Sequence, residues 1–176
     1  MWKKSQQRDE TKHPMMNQQC NVISLCLYRP DIPQNLGTLI RMTACFGMDL
    51  HIIKPCAFPL SREKLARSAM DYLDQANLII HENESAFLDQ RDQRRLVLMT
   101  TKAPHSYTNF TFQPNDMIIA GRESAGVPQE FAARCDGLVR IPMRPETRSL
   151  NVAISAGMVI GEAMRQTDYQ IKANLL

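Results

Sequence analysis

Three short stretches hold most of the residues that could do chemistry, and each follows an apolar run: RPDIPQN (29–35), GRESAG (121–126) and RPETRSLN (144–151). The third is the richest. Arg144, Glu146, Thr147, Arg148 and Ser149 form a polar, basic loop between a β-branched run (Val139, Ile141) and a helix that opens at Leu150–Asn151. A polar loop between a buried strand and a buried helix is where a rigid scaffold usually carries binding groups. After the first stretch, Gly37 and Arg41 stand four apart on one helical face. A glycine one turn below an arginine leaves room for something bulky to reach the guanidinium. Taken alone, the plainer reading wins: a glycine packed on a strand and a solvated arginine. GRESAG resembles a phosphate-cradling loop but lacks GxGxxG spacing and comes late in the chain. By itself it reads equally well as a turn.

These loops need elements to hold them. VISLCLY (22–28) is a continuous apolar run of the kind buried on both faces of a parallel sheet. NLGTLIRMTACFG (35–47) reads as a helix with Asn35 as N-cap, Gly47 as its stop, and Leu36, Leu39, Ile40, Thr43 and Phe46 as its core stripe. Strands follow at 50–54, 77–81, 96–101, 117–121 and 138–142. Helices are expected from Ser61, over 82–90, from Pro128 and from Leu150. Residues 102–115 read as a polar loop. Strand and helix alternate, so the fold class is α/β with a mainly parallel sheet flanked by helices. Ligands bind such sheets outside the carboxyl ends of the strands, and all three polar stretches leave strand ends. The last helix carries Ala153, Ala156, Gly157, Gly161 and Ala163 and no charge from Leu150 to Gly161. That pattern predicts burial on most sides and a close backbone approach.

With 176 residues and 44% apolar content, one core is the expectation. Residues 1–20 lack periodicity and read as a disordered extension, 21–170 as the domain, and 171–176 as a tail. The net charge of +3 permits an anionic partner without demanding one. Five widely spaced cysteines with no CxxC pair suit reduced thiols in a cytosol rather than disulfides or a metal site. No apolar run approaches the ~18 residues that a membrane span needs. His51 and His105 stand apart from any motif and read as surface or strand-end histidines. Arg62, Lys64, Arg67, Arg91, Arg94 and Arg95 read as solvated helix faces. Aromatic residues are 6% of the chain, so base stacking would fall to one or two such as Tyr28.

Taken together the three stretches are specific. N-x-G-x-x-x-R (35–41), G-x-E-x-x-G-V-P (121–128) and I-P-M…S-L-N-V-A-x-S-A-G (141–157) resemble the SpoU-type RNA 2′-O-methyltransferases of the SPOUT superfamily. The resemblance runs from residue 21 to about residue 168. LYRPDIPQNLGTLIR, TTK (100–102) and AMDY (69–72) are most similar to the subgroup acting on the tRNA wobble cytidine or uridine. Many of its members carry proline where this chain has Arg122.

The resemblance implies a C-terminal trefoil knot, S-adenosylmethionine as cofactor, a homodimer, and methyl transfer to a ribose 2′-hydroxyl in the anticodon stem-loop of tRNA. It further implies Asn35, Arg41, Glu123, Ser149 and Asn151 as catalytic residues. Met99, Thr100, Gly121, Glu123, Gly126, Ile141, Met143, Ser149 and Leu150 fall on the cofactor-binding positions. Arg29, Arg41, Arg144 and Arg148 are the expected RNA contacts, made through phosphates. A guanidinium is a poor base, so Arg41 is expected to hold a phosphate and stabilise charge rather than take a proton. Other readings are methylation of another tRNA or rRNA nucleotide, or a non-catalytic RNA-binding module. A Rossmann oxidoreductase would want GxGxxG where this chain has RPDIPQN.

Overall fold

The computed structural model describes residues 23–91 and 93–168. The expected extension over 1–20 and the tail over 171–176 lie outside them. In chain order the elements are β1 (Ser24–Tyr28), α1 (Pro33–Phe46), β2 (Asp49–Ile53), α2 (Arg62–Ala69), β3 (Asn77–His81), α3 (Glu84–Asp89), β4 (Leu96–Met99), β5 (His105–Ser106), β6 (Met117–Ala120), α4 (Gln129–Ala132), β7 (Gly137–Arg140) and α5 (Val152–Thr167).

All seven strands join one sheet in the order β3-β2-β1-β6-β4-β7-β5, and every pairing is parallel. The alternation along β1 shows how the layers form. Leu25 and Leu27 enter one apolar cluster with Leu36, Ile40, Ala156, Val159 and Ile160, whereas Cys26 and Tyr28 enter another with Phe87, Phe131, Leu98 and Ile119. A strand buried on both faces therefore needs no polar alternation, which is why it reads as an unbroken apolar run. Removing any one of these fully buried leucines or isoleucines would cost about 2–5 kcal/mol.

The sequence places most elements within two or three residues of where they lie, with three exceptions. Helix α1 starts earlier than expected: Pro33 supplies its first turn and Ile32 is its N-cap, so Asn35 is no cap but sits inside the helix, 8% exposed. Its end is as expected. Gly47 adopts φ 64° and returns its N–H to Ala44 O, the left-handed closure that glycine favours. Second, the 102–115 segment contains the two-residue strand β5 and a 3-10 turn over Tyr107–Asn109. Elements this short carry no periodic signal.

Third, α5 is buried on one face only. Ala153, Ala156, Val159, Ile160 and Ala163 pack inward, while Ile154 is 59% and Met158 39% exposed. A Cβ added at Gly161 would meet nothing within 4 Å. The uncharged outer stripe read from the sequence is real, but nothing among the described residues covers it.

The order of the sheet has one unusual consequence. β7 lies between β4 and β5, two strands that precede it in the chain. Met99 and His105 both register against Val139. Residues 100–104 therefore stride from one side of β7 to the other at that level.

Of the basic residues expected on solvated faces, Arg62, Lys64 and Arg67 are exposed. Arg95 is instead structural. It grips the fully buried Asp116 carboxylate with two bonds of 2.7 Å, which holds the turn before β6. Arg94 donates to Ser24 Oγ at the start of β1.

Candidate active site

The carboxyl ends of β4, β6 and β7 open together into a cavity of about 730 Å³. Its floor is apolar, from Leu98 and Met99 on β4, Ala120 on β6, and Leu138 and Val139 on β7. Its rim comes from the segments that leave these strands and from 148–152, just ahead of α5. All nine residues expected at the cofactor line it: Met99, Thr100, Gly121, Glu123, Gly126, Ile141, Met143, Ser149 and Leu150. So do Asn35 and Asn151.

The turn after β6 shows why glycines stand where they do. Arg122 and Gly126 exchange backbone bonds (N to O 3.0 and 2.8 Å), closing a tight loop. A Cβ on Gly121 would lie 2.8 Å from Gly126 Cα, and Gly126 itself has φ 66°. The two glycines thus serve a backbone-on-backbone approach and a left-handed corner.

A directed chain of hydrogen bonds ties the three sequence stretches together. Asn151 caps α5, its Oδ1 accepting from Ala153 N (2.9 Å) and Ile154 N (3.3 Å). Its Nδ2 is then left to donate to Asn35 Oδ1 (2.8 Å). That fixes the Asn35 amide, whose Nδ2 donates to Glu123 Oε1 (2.9 Å). Glu123 and Asp31 close a reciprocal pair: Asp31 N donates to Glu123 Oε2 (3.1 Å) and Glu123 N to Asp31 Oδ1 (3.0 Å). Ser124 Oγ also donates to Asp31 Oδ2, and Arg122 Nε lies 3.6 Å from the same oxygen. One amide orientation therefore dictates the next along the whole chain.

The two carboxyls are pushed in opposite directions. Hydrogen bonding with Glu123, aided by Ser124 and the Glu123 backbone N–H, holds Asp31 well below the usual carboxylate range. Burial first, and then the Asp31 contact, raises Glu123. Two neighbouring carboxyls resist ionising together, and Asp31, which has more donors, is the last of the two to take up a proton as pH falls.

Arg41 does not join this group within one chain. It lies six residues beyond Asn35, about 9 Å along the axis and ~240° around it. Its exposed guanidinium sits over the Tyr72 ring, 4.8 Å from the centroid. Of the other expected RNA contacts, Arg148 lines the cavity and is exposed, and Arg144 is exposed on the same loop outside the lining. Arg29 is half-buried, with φ 49° and its guanidinium 5.1 Å from the Tyr28 ring centroid.

Tyr28 cannot stack on a base: it is 1% exposed and its hydroxyl donates to Glu84 (3.0 Å). Nor is His51 at a surface. It is buried against His81, with Nδ1 3.0 Å from His81 Nε2. Sequence reading passed over Asp31, Ser124 and the position of Tyr72 against Arg41. Asp31 stood within a recognised polar stretch, but nothing in its spacing tied it to Glu123, 92 residues away.

Among the described residues no group of three or more potential metal ligands is found, and no helix is long and apolar enough to cross a membrane.

Known proteins resemble this chain along most of its length. A tRNA (cytidine(34)-2′-O)-methyltransferase of Beijerinckia indica is 53% identical over 144 residues, 81% of this chain and 90% of that protein. A solved structure described as "Structural insights into the 2-OH methylation of C/U34 on tRNA" superposes with a TM-score of 0.77 at 37% identity, covering 82% of this chain and 95% of that one. An AdoMet-bound rRNA methyltransferase from Sinorhizobium meliloti has a TM-score of 0.73 at 28% identity, covering 82% of this chain and 56% of its own. The SpoU rRNA methylase family model matches residues 22–161, a span that takes in β1, the cavity and most of α5, and this chain belongs to that family.

Proposed function

We propose that this protein transfers the methyl group of S-adenosylmethionine to the ribose 2′-hydroxyl of cytidine 34, the wobble nucleotide of tRNA. The observation that carries the reading is the hydrogen-bonded chain Asp31–Glu123–Asn35–Asn151 on the wall of the cavity. It joins all three polar stretches at one mouth, as a reaction site requires and a mere RNA-docking module does not. The relatives' names supply the nucleotide.

The residues present fit the cofactor. A cavity of about 730 Å³ falls in the ~300–1,000 Å³ range of ligand sites. The apolar floor at Leu98, Met99, Leu138 and Ile141 suits a purine ring, with Thr100 and Ser149 hydroxyls at the edge. Gly121 keeps the wall at that point free of a side chain. The ligand has no phosphates, so the missing GxGxxG is no objection. When bound, it supplies a methyl group on a positively charged sulfur. The residues of the chain then position the hydroxyl, exclude water and stabilise charge; correct alignment alone can contribute about 7–11 kcal/mol of the barrier.

Two further features belong to this reading. The enzyme works as a homodimer, a reading supported by the α5 stripe of Ile154, Met158 and Gly161, which is apolar and uncovered among the described residues. The outer face of α1, with Arg41, is also exposed, and a second copy could bring its own Arg41 to this cavity to hold the phosphate beside the reacting ribose. Symmetric pairing is the commonest solution for such surfaces. The C-terminal segment forms a trefoil knot, a reading supported by β7 lying beneath the 100–104 stride. The domain runs over 21–170, and the working compartment is the cytoplasm, with its tRNA.

The test is direct. Purified protein, S-adenosylmethionine and tRNA transcripts are incubated, and nucleosides are mapped by mass spectrometry. We expect 2′-O-methylcytidine at position 34. Methylation at another nucleotide, or none despite cofactor binding, would overturn the assignment.

A further inference from the structure

Methylating a hydroxyl releases a proton, and Arg41 is badly suited to take it. The cavity lining offers few alternatives. Its other charged side chains are cations (Lys102, Arg122, Arg140, Arg148), and its remaining polar groups are amides and hydroxyls. Glu123 is the only carboxylate among the lining residues, and no histidine is present. We propose that Glu123 is the proton acceptor of the reaction, and that Asp31, which touches no substrate, is a positioning residue that sets the basicity of Glu123.

The geometry supports this division. Glu123 Oε1 and Oε2 each accept one protein donor, from Asn35 Nδ2 and Asp31 N. A carboxylate has about four acceptor sites, so capacity remains for a ribose hydroxyl. Asp31 Oδ1 and Oδ2 are held by Glu123 N and Ser124 Oγ, with Arg122 Nε at 3.6 Å. Asp31 thus keeps its negative charge beside Glu123. A fixed anion next to a half-buried carboxyl makes that carboxyl a stronger base, in the same direction as the raised pKa of Glu123. The charged groups beside Glu123 or lining the cavity with it are Asp31 from the loop after β1, Arg122 next in sequence, Lys102 beyond β4, Arg140 on β7 and Arg148 ahead of α5. Asp31 is the one acid among them, so its removal should make Glu123 a weaker base.

In the step itself the ribose 2′-oxygen bonds to the methyl carbon as the carbon–sulfur bond breaks. The electron pair stays on sulfur, which becomes a neutral thioether. The 2′-proton passes to a Glu123 oxygen and is lost to solvent after the product leaves.

This inference rests on the proposed methyl transfer. The experiment is single-turnover methylation of tRNA by the dimeric protein across pH, with S-adenosylmethionine binding measured calorimetrically alongside. Wild type should show a rate that falls on the acid side as Glu123 becomes protonated. At saturating cofactor, set from the affinity measured for each variant, Glu123→Gln should lose about 10²–10⁴-fold in rate and show no acid limb in what remains. Asp31→Asn should move the acid limb about one unit to lower pH, a displacement that a purely structural role would not produce. The proposal is overturned if Glu123→Gln keeps the wild-type acid limb, or if Asp31→Asn leaves the limb in place. A wild type that binds cofactor but methylates no tRNA would instead overturn the methyl-transfer reading itself.

Discussion

At the scale of single residues, the side chains of Asn151, Asn35 and Glu123 each orient the next. Asn35 illustrates this: its Oδ1 is taken by Asn151 and its Nδ2 by Glu123, so neither end of the amide is interchangeable. Arg41 stands outside that chain and is held by a stacking contact with Tyr72. Arg41→Ala should therefore abolish methylation while leaving S-adenosylmethionine affinity within about twofold, since the residue does not line the cavity. Arg41→Lys should recover little, because an ammonium lacks the planar fork and stacks poorly. A lysine variant close to wild-type rate would show that a point charge suffices. Gly121→Val should weaken cofactor binding at least about tenfold, equal to ~1.4 kcal/mol. The branched side chain enters the cavity wall, and its Cβ meets the Gly126 backbone at 2.8 Å. Calorimetry giving equal affinity for the variant would remove Gly121 from the binding wall.

At the scale of elements, the N-terminus of α5 is where stability and activity can be separated. Asn151 satisfies two otherwise unpaired N–H groups and also donates to Asn35. Asn151→Ala should cost about 1–3 kcal/mol in urea unfolding, from the lost cap and the stranded Asn35 acceptor. Asn151→Asp keeps an oxygen for the cap, so stability should return most of the way. An aspartate has no N–H to give Asn35, however, so the orientation of the chain fails and methylation should stay low. Full activity in the aspartate variant would show that the Asn151–Asn35 bond is dispensable. Similar logic explains Arg95, which the sequence presents as one more surface cation. Its two bonds to buried Asp116 anchor the approach to β6, the strand that ends in the Gly121 turn.

At the scale of the whole molecule, the decisive feature is a surface. One chain buries the inner face of α5 and leaves Leu150, Ile154 and Met158 exposed by 41%, 59% and 39%. Gly161 continues this stripe with open space around it. Gly161→Arg should thus be tolerated by an isolated chain, yet it should yield monomers and reduce methylation at least about tenfold. Light scattering and activity measured together give the answer, and an active wild-type monomer at assay concentration would sink the dimer. The separation of Arg41 from Glu123 within one chain makes the same point from the chemistry side.

What the sequence determined by itself was the class of fold and the three polar stretches that meet at the cavity. Unbroken apolar runs such as VISLCLY, alternating with helical stretches, suit a parallel sheet covered on both faces. Polar stretches at the ends of those runs then fall at the carboxyl edge of the sheet, and the motif resemblance singled out Asn35, Glu123 and Asn151 within them. The helix stop at Gly47 was equally legible, because a left-handed corner calls for glycine. Tertiary structure alone decided the pairings. Asp31 and Glu123 meet across 92 positions, Arg41 finds Tyr72 rather than the cavity, and Tyr28 is sealed beneath Glu84. The two-residue β5 and its place outside β7 also left no trace in the sequence. The physical reason is common to these cases. Periodicity reports which face of an element is buried, but contacts between loops depend on how distant strands are ordered in the sheet, and no local pattern encodes that order.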